Sequence, residues 1–169
     1  VVNAGNIDKD FAWVTEKAKG FEVTVTNESD ATGQIALQGP VAEAILQPLT
    51  ATDLKAIKYY YFTHGQVAGI PCLISRTGYT GEDGFELYCA AGDTERLWNA
   101  VLGAGQGQGL MPAGLGCRNT LRMECKMALY GHEITDEIHA LEAGLGWIVK
   151  LAKGDFLGKA ALESAKAAG

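Results

Sequence analysis

The stretch RTGYTGEDGFELY, Arg76 to Tyr88, decides how the rest of the chain is read. Its second half, Phe85 to Tyr88, alternates apolar and polar side chains as a half-buried strand does. Its first half carries Gly78, Gly81 and Gly84 three residues apart, which suggests a backbone folded back repeatedly, where φ > 0 or a close approach is wanted. Turn statistics alone would make it a hairpin with solvated acids. Two sharper readings fail on pattern. Glu82-Asp83-Gly84 lacks the regular alternation of oxygen ligands in a calcium loop. Glycines followed by a strand, and not by a helix, do not make a dinucleotide fingerprint.

Upstream of this motif, Val1 to Ala4 reads as a short strand running into Asn6, a helix cap, with Asp8 and Asp10 in the first turn. Ile7, Phe11, Val14 and Ala18 share one helical face, and Gly20 ends the helix. Phe21, Val23 and Val25 alternate with Glu22, Thr24 and Thr26, so a strand is expected there, paired as a hairpin with Gln34 to Leu37 across NESDATG. Pro40 fits the first position of a helix that continues through Val41, Ala44 and Ile45. Further strands are expected over Lys58 to Phe62 and Val67 to Ile74, with a turn at His64-Gly65 and an edge or bulge at Pro71.

Downstream, a helix capped by Asp93 buries Leu97 and Val101, and the glycine-rich stretch from Gly103 to Gly109 is its exit; it lacks the GK[ST] of a phosphate cradle. Leu115 to Met127 forms another helix, with Cys117, Leu121 and Cys125 on one face and Arg118 and Arg122 on another. Two like charges four residues apart repel, so an acid is expected opposite them: Glu82, Asp83, Glu86 or a ligand. Strands and helices in this order give an α+β fold, antiparallel sheets with packed helices.

Composition narrows the function. A chain of 169 residues, 47% hydrophobic and 20% charged, can bury a core and is not disordered. A net charge of −6 argues against a nucleic-acid or anionic-membrane surface. No apolar run approaches the roughly 20 residues of a membrane span. His64, His132 and His139 have no metal-site spacing, and Cys72, Cys89, Cys117 and Cys125 form no CxxC pair, which fits free thiols in a reducing cytoplasm. The Tyr59-Tyr60-Tyr61 run is explained equally by strand packing or by a ligand wall.

RTGYTGEDGFELY resembles, at nearly every position, the signature of the aminomethyltransferase of the glycine cleavage system, its T protein. VVNAGNIDKDFAWV, ALQGP, GLGCRNTLRMECKMALYGHEI and LEAGLGWIVKL resemble successive blocks of that family, in order. The resemblance implies the central part of a three-lobed fold around tetrahydrofolate, with residues 1–52 the C-terminal part of a ferredoxin-like α+β lobe and residues 53–169 a second, folate-binding α+β lobe. It also implies an N-terminal segment and a C-terminal barrel lobe outside this stretch, with the catalytic aspartate upstream of Val1. Glu86 then corresponds to the carboxylate that holds the pterin, Arg118 to a substrate-binding arginine and Tyr79 to a tyrosine of the same pocket. Tyr59 and Tyr60 fall where the family places aromatics, and Asn3 at a strand end facing the folate. The glycines of the motif would let Tyr79 and Glu86 approach a planar ligand.

The implied reaction moves a one-carbon unit from an aminomethyl-lipoyl arm on the H protein to tetrahydrofolate and releases ammonia. It takes place in the cytoplasm and uses no metal, nucleic acid or membrane. Cys117, Asn119, Lys126 and Met127 depart from the family's usual residues. The alternatives are a related folate-dependent demethylase, the folate lobe of a sarcosine or dimethylglycine oxidising enzyme, or a non-catalytic folate-binding protein resembling iron–sulfur repair factors. KGDFLGKA at 153–160 lacks the cysteine of the last group's block.

Overall fold

The structure is a computed structural model and describes residues 1–168. Two compact units divide at Cys125 and Lys126. The first holds a four-stranded antiparallel sheet of order β1-β4-β3-β2, formed by β1 (Thr32–Gln38), β2 (Phe62–Val67), β3 (Ile70–Ser75) and β4 (Gly84–Ala90). Its helices are α1 (Ile7–Lys17), α2 (Ala42–Leu46), α3 (Thr94–Gly105) and α4 (Leu115–Glu124). The α+β class with an antiparallel sheet is as expected.

Strand alternation explains the core. Ile35 and Leu37 of β1, Phe85 and Leu87 of β4, and Ile70 and Ile74 of β3 all point to one face and are buried. Against them lie Ile45 and Leu46 of α2 and Leu97 and Val101 of α3, also buried. Leu97 and Val101 are four residues apart and so share one helix face. The opposite face of the sheet carries the polar partners of the same strands. The pairings Ala36↔Glu86, Ser75↔Glu86 and Phe62↔Ser75 set Phe62, Ser75, Glu86 and Ala36 side by side across it. Since β1 comes from residues 1–52 and pairs with β4, this one sheet draws on both of the expected lobes.

Several local expectations are corrected. Val1 to Ala4 is no strand; a 3-10 turn over Ala4–Asn6 leads directly into α1, and the Asn6 side chain makes no cap hydrogen bond. Phe21 to Thr26 is irregular, with Phe21 and Val23 exposed, and β1 pairs with β4 in place of the expected hairpin. Alternation over six residues marked a strand there, but no described strand pairs with it to make it one. Pro40 lies in the turn ahead of α2, whose first residue is Ala42. The strand expected from Lys58 begins only at Phe62. His64 and Gly65 lie inside β2, and the reversal falls at Ala68-Gly69, with φ of 51° and 75°. Two consecutive positive φ values match the twist of a two-residue hairpin. Pro71 sits in the part of β3 paired only with β2, where a missing N–H costs no ladder bond to β4.

The second unit, from Lys126 onward, consists of turns and α5 (Lys159–Ala168). Within it the Tyr130 hydroxyl donates to Asp136 Oδ1 at 2.6 Å, and Tyr130 bridges to Ile134. Among the described residues no helix is long and apolar enough to cross a membrane.

Candidate binding site

A cavity of about 390 Å³ opens along β1, between α3, α4 and the loop that follows Thr77. Its polar lining is Gln34, Gln38, Glu86 and Arg118, joined by Tyr79 and Thr80. Trp98, Val101, Leu102, Leu110, Met111 and Leu121 make an apolar wall. A concave, mainly apolar site of this size with a few convergent polar groups suits a small organic ligand.

The opening motif builds one side of it. Arg76 is the anchor: Nε and Nη2 donate to the two oxygens of Asp83 at 3.0 and 2.6 Å, and Nη2 also reaches Glu43 at 2.9 Å. Nη1 donates to the carbonyls of Leu54 and Ile57, and the guanidinium lies over the Phe85 ring at 5.2 Å. The hydrogen bonds from Arg76 hold the Asp83 carboxyl below its ordinary pKa. The loop's ends are thereby tied to α2 and to the segment before β2.

The glycines provide the close approach and the positive φ expected of them, and the groups that come close are the protein's own. A Cβ on Gly78 would come within 1.8 Å of the Gln38 side-chain oxygen, and one on Gly84 within 2.5 Å of its nitrogen. The Gln38 amide lies between them and donates to the carbonyls of Leu37, Thr77 and Phe85. Gly81, at φ +79°, makes room for Cys125, whose Sγ would lie 2.1 Å from an added Cβ. The space the three glycines leave is filled by the protein's own side chains, Gln38 and Cys125. Their tightness shapes the loop that displays Tyr79.

Glu86 stands on the polar face of β4. Gln34 Nε2 donates to its Oε1 at 2.7 Å, and the Thr77 hydroxyl donates to its Oε2. Beside it, burial and then the Glu86 carboxylate push the Tyr88 hydroxyl up to about 12. Arg118 of α4 lies with its guanidinium 4.8 Å from the Tyr79 ring centroid. Stacking of that kind leaves the in-plane N–H donors of arginine for other acceptors. Of the acids expected opposite the arginine pair, Asp83 is bound by Arg76 and Glu86 by Gln34 and Thr77. Arg122 is buried and donates to Asn119 Oδ1 at 3.0 and 2.7 Å, which gives this asparagine a local role.

Tyr79, Glu86 and Arg118 thus line one cavity, whereas Tyr59, Tyr60 and Asn3 lie outside its lining. Tyr59 and Tyr60 pack edge to face at 4.5 Å and are exposed. Tyr60 is held at φ 66° by an N–H bond to the Arg76 carbonyl. The Asn3 carbonyl accepts from the Asn6 N–H at 2.9 Å. Cys72 is buried, and burial pushes its thiol up to about 11, which makes it a poor nucleophile at neutral pH. Nothing in the local sequence marks Gln34, Trp98 or Leu110 as lining residues. Gln34 reads as a solvent-facing strand position until β4, fifty-two residues on, is placed beside it.

The family described as the GCVT N-terminal domain matches residues 1–153. The chain belongs to this family. Among curated relatives, an aminomethyltransferase from Moorella thermoacetica is 59% identical over 169 residues, an alignment that takes in 100% of this chain and 46% of the relative. The crystal structure of the glycine cleavage system aminomethyltransferase T from Bartonella henselae superposes with a TM-score of 0.83 at 34% identity, covering 97% of this chain and 44% of that one. A heterotetrameric sarcosine oxidase from a Corynebacterium species shares the fold alone, at 23% identity and a TM-score of 0.52 over 66% of this chain. This GCVT N-terminal domain chain spans about half the length of the curated relatives it matches.

Proposed function

We propose that this chain supplies the tetrahydrofolate-binding part of a glycine cleavage aminomethyltransferase. Such an enzyme takes a one-carbon unit from the aminomethyl-lipoyl arm of an H protein, passes it to tetrahydrofolate and releases ammonia. The observation that carries the reading is the convergence of Tyr79, Glu86 and Arg118 on one cavity in a chain of this family. A pterin presents an amino group and a ring N–H side by side, and one carboxylate can accept both as a bidentate pair. Tyr79 offers a flat wall, already capped by Arg118, and Arg118 can also meet a carboxylate of the folate tail. Tyr59, Tyr60 and Asn3 would contribute only where further parts of the protein or the ligand's tail extend beyond the cavity.

In this reading the residues present here bind and orient. Holding the folate nitrogens beside the aminomethyl carbon turns an encounter into a positioned reaction, which supplies much of the rate. The catalytic aspartate of the family has no counterpart among residues 1–169, so proton handling falls to a segment upstream of Val1. The two expected lobes, at 1–52 and 53–169, and a cytoplasmic location belong to the same proposal.

Trp98 lines the cavity and provides the assay: tetrahydrofolate titrated into the chain should quench its fluorescence saturably. Glu86→Gln replaces an acceptor by a donor facing the pterin's own donors and should cost about 1.5–3 kcal/mol of binding. Unchanged affinity would remove Glu86 as the pterin anchor. Ammonia release from aminomethylated H protein, measured with this chain beside a full-length relative, checks the second half. Turnover within about tenfold, or 1.4 kcal/mol of barrier, would place the catalytic groups among these residues and refute the upstream assignment.

A further inference from the structure

We propose that Gln34 and Thr77 are positioning residues that fix the plane of the Glu86 carboxylate, leaving its unused lone pairs for the ligand. This rests on the folate reading above for its ligand, but its geometry stands on the strands alone. A carboxylate has two oxygens and about four acceptor directions. Each oxygen receives one bond from these two residues, Gln34 Nε2 on Oε1 at 2.7 Å and the Thr77 hydroxyl on Oε2, and the Tyr88 hydroxyl interacts with the same carboxylate. Held from both ends, the group cannot rotate without losing one bond or the other.

The two donors are fixed in turn. Gln34 is on β1 and faces Tyr88 in the register, two pairs from Ala36↔Glu86 and on the same face, so the amide crosses the sheet diagonally to reach the carboxylate. Such diagonal neighbours are within reach of long side chains. The Gln34 amide also lies 3.4 Å from the Tyr88 hydroxyl, which brackets it on the other side. Thr77 stands where the opening loop leaves β3, and its hydroxyl is 3.0 Å from that of Ser75, which is buried. A hydroxyl has one proton to give. With Thr77's proton on Glu86, the Ser75 hydroxyl supplies the proton of the second bond, making a relay Ser75, Thr77, Glu86. Ala36 lies directly across from Glu86 and lines the cavity, and its small side chain keeps the carboxylate accessible.

A carboxylate free to rotate pays rotamer entropy when it receives a bidentate ligand, and one already oriented does not. The clamp therefore affects ligands that need both oxygens together. A ligand that makes a single contact gains much less.

The test uses tetrahydrofolate and, as a comparison that lacks the pterin and so cannot engage Glu86 in this way, p-aminobenzoylglutamate, both titrated into the chain by Trp98 fluorescence. Thr77→Val and Gln34→Leu should each weaken tetrahydrofolate roughly tenfold, and Thr77→Ser should recover to within about twofold of the parent. On a Glu86→Gln background the same changes should shift affinity by less than about twofold, because the group they orient is gone. Equal losses on both backgrounds, equal losses for both ligands, or no loss at all would overturn the positioning role. A second measurement needs no ligand. The Gln34 side-chain amide signals in an ¹H–¹⁵N spectrum should move on Glu86→Gln and not on Glu82→Gln, and unmoved signals would overturn the clamp. If the amide moves but tetrahydrofolate does not bind the parent chain, the folate reading fails while the clamp stands.

Discussion

Removing the Arg76 guanidinium tests how the opening motif is held. In Arg76→Met the side chain keeps most of its length but loses every donor. Asp83 loses its two bonds from Nε and Nη2, Glu43 loses one, and the carbonyls of Leu54 and Ile57 lose their partner. Hydrogen bonds to charged groups contribute about 1.5–3 kcal/mol each, and breaking one partner of a fully buried pair costs about 3–5. Here the Arg76 side chain is 18% exposed, Glu43 25% and Asp83 37%, so water can reach the abandoned carboxylates and part of the loss is recovered. A net destabilisation of about 2–4 kcal/mol follows. The pH dependence gives a second reading. A carboxylate whose folded pKa is lowered, as that of Asp83 is by Arg76, adds stability above its unfolded value of about 3.9. That stability is lost as pH falls through the lower folded value. The gap between parent and variant should therefore be full at pH 7 and narrow below about pH 4. Urea unfolding of both proteins at these two pH values measures it. A difference under about 0.5 kcal/mol at neutral pH, or one that does not narrow in acid, would show that Arg76 does not anchor the loop.

Three further outcomes are expected. Gly81→Ala places a Cβ against Cys125 Sγ at a positive φ, so it should destabilise the chain by about 1–3 kcal/mol; Cys125→Ala should return the steric part, and a strictly additive pair would refute the contact. Tyr88 keeps its proton more tightly folded than unfolded, its pKa rising from 10.0 to about 12, so stability should fall as pH rises through that interval; Tyr88→Phe should flatten the decline, and an unchanged slope in alkaline unfolding would count against it. Ala36→Leu fills the cavity beside Glu86 from an exposed position, so tetrahydrofolate affinity should drop at least tenfold while unfolding changes by less than about 0.5 kcal/mol; retained affinity would move the ligand elsewhere.

What the sequence made legible follows from how local each signal is. The helices α1, α3 and α4 are written in the spacing of their own residues, though not in their caps or ends, and the buried pair Leu97 and Val101 could be named from periodicity alone. Phe21 to Thr26 carries the alternation of a strand just as clearly, yet remains irregular, because a strand exists only through a partner and alternation does not say which. The same limit misplaced the β2–β3 reversal. His64-Gly65 looks like a turn, but the hairpin turns at Ala68-Gly69, where Ala68 accepts a positive φ that no residue-by-residue preference would assign to alanine.

The glycines of the opening motif show the same limit inside the site. From sequence, three glycines beside Tyr79 and Glu86 suggest room made for a ligand. In the folded chain the room beside Gly78 and Gly84 belongs to Gln38 from β1, and that beside Gly81 to Cys125 at the end of α4. A glycine records that something comes close, not what. Gln38 arrives from forty residues upstream and Cys125 from forty-four residues downstream, so only the assembled sheet identifies them. The consequence for function is that the loop is braced by the protein's own contacts, with no ligand needed to hold it. Gln38 pins its start through the Thr77 carbonyl and its end through the Phe85 carbonyl, and Arg76 ties it to Asp83. Tyr79 and Glu86 are carried by that loop and by the strand it enters. Their separation is set by interactions within the protein, and binding then needs little reorganisation of the backbone.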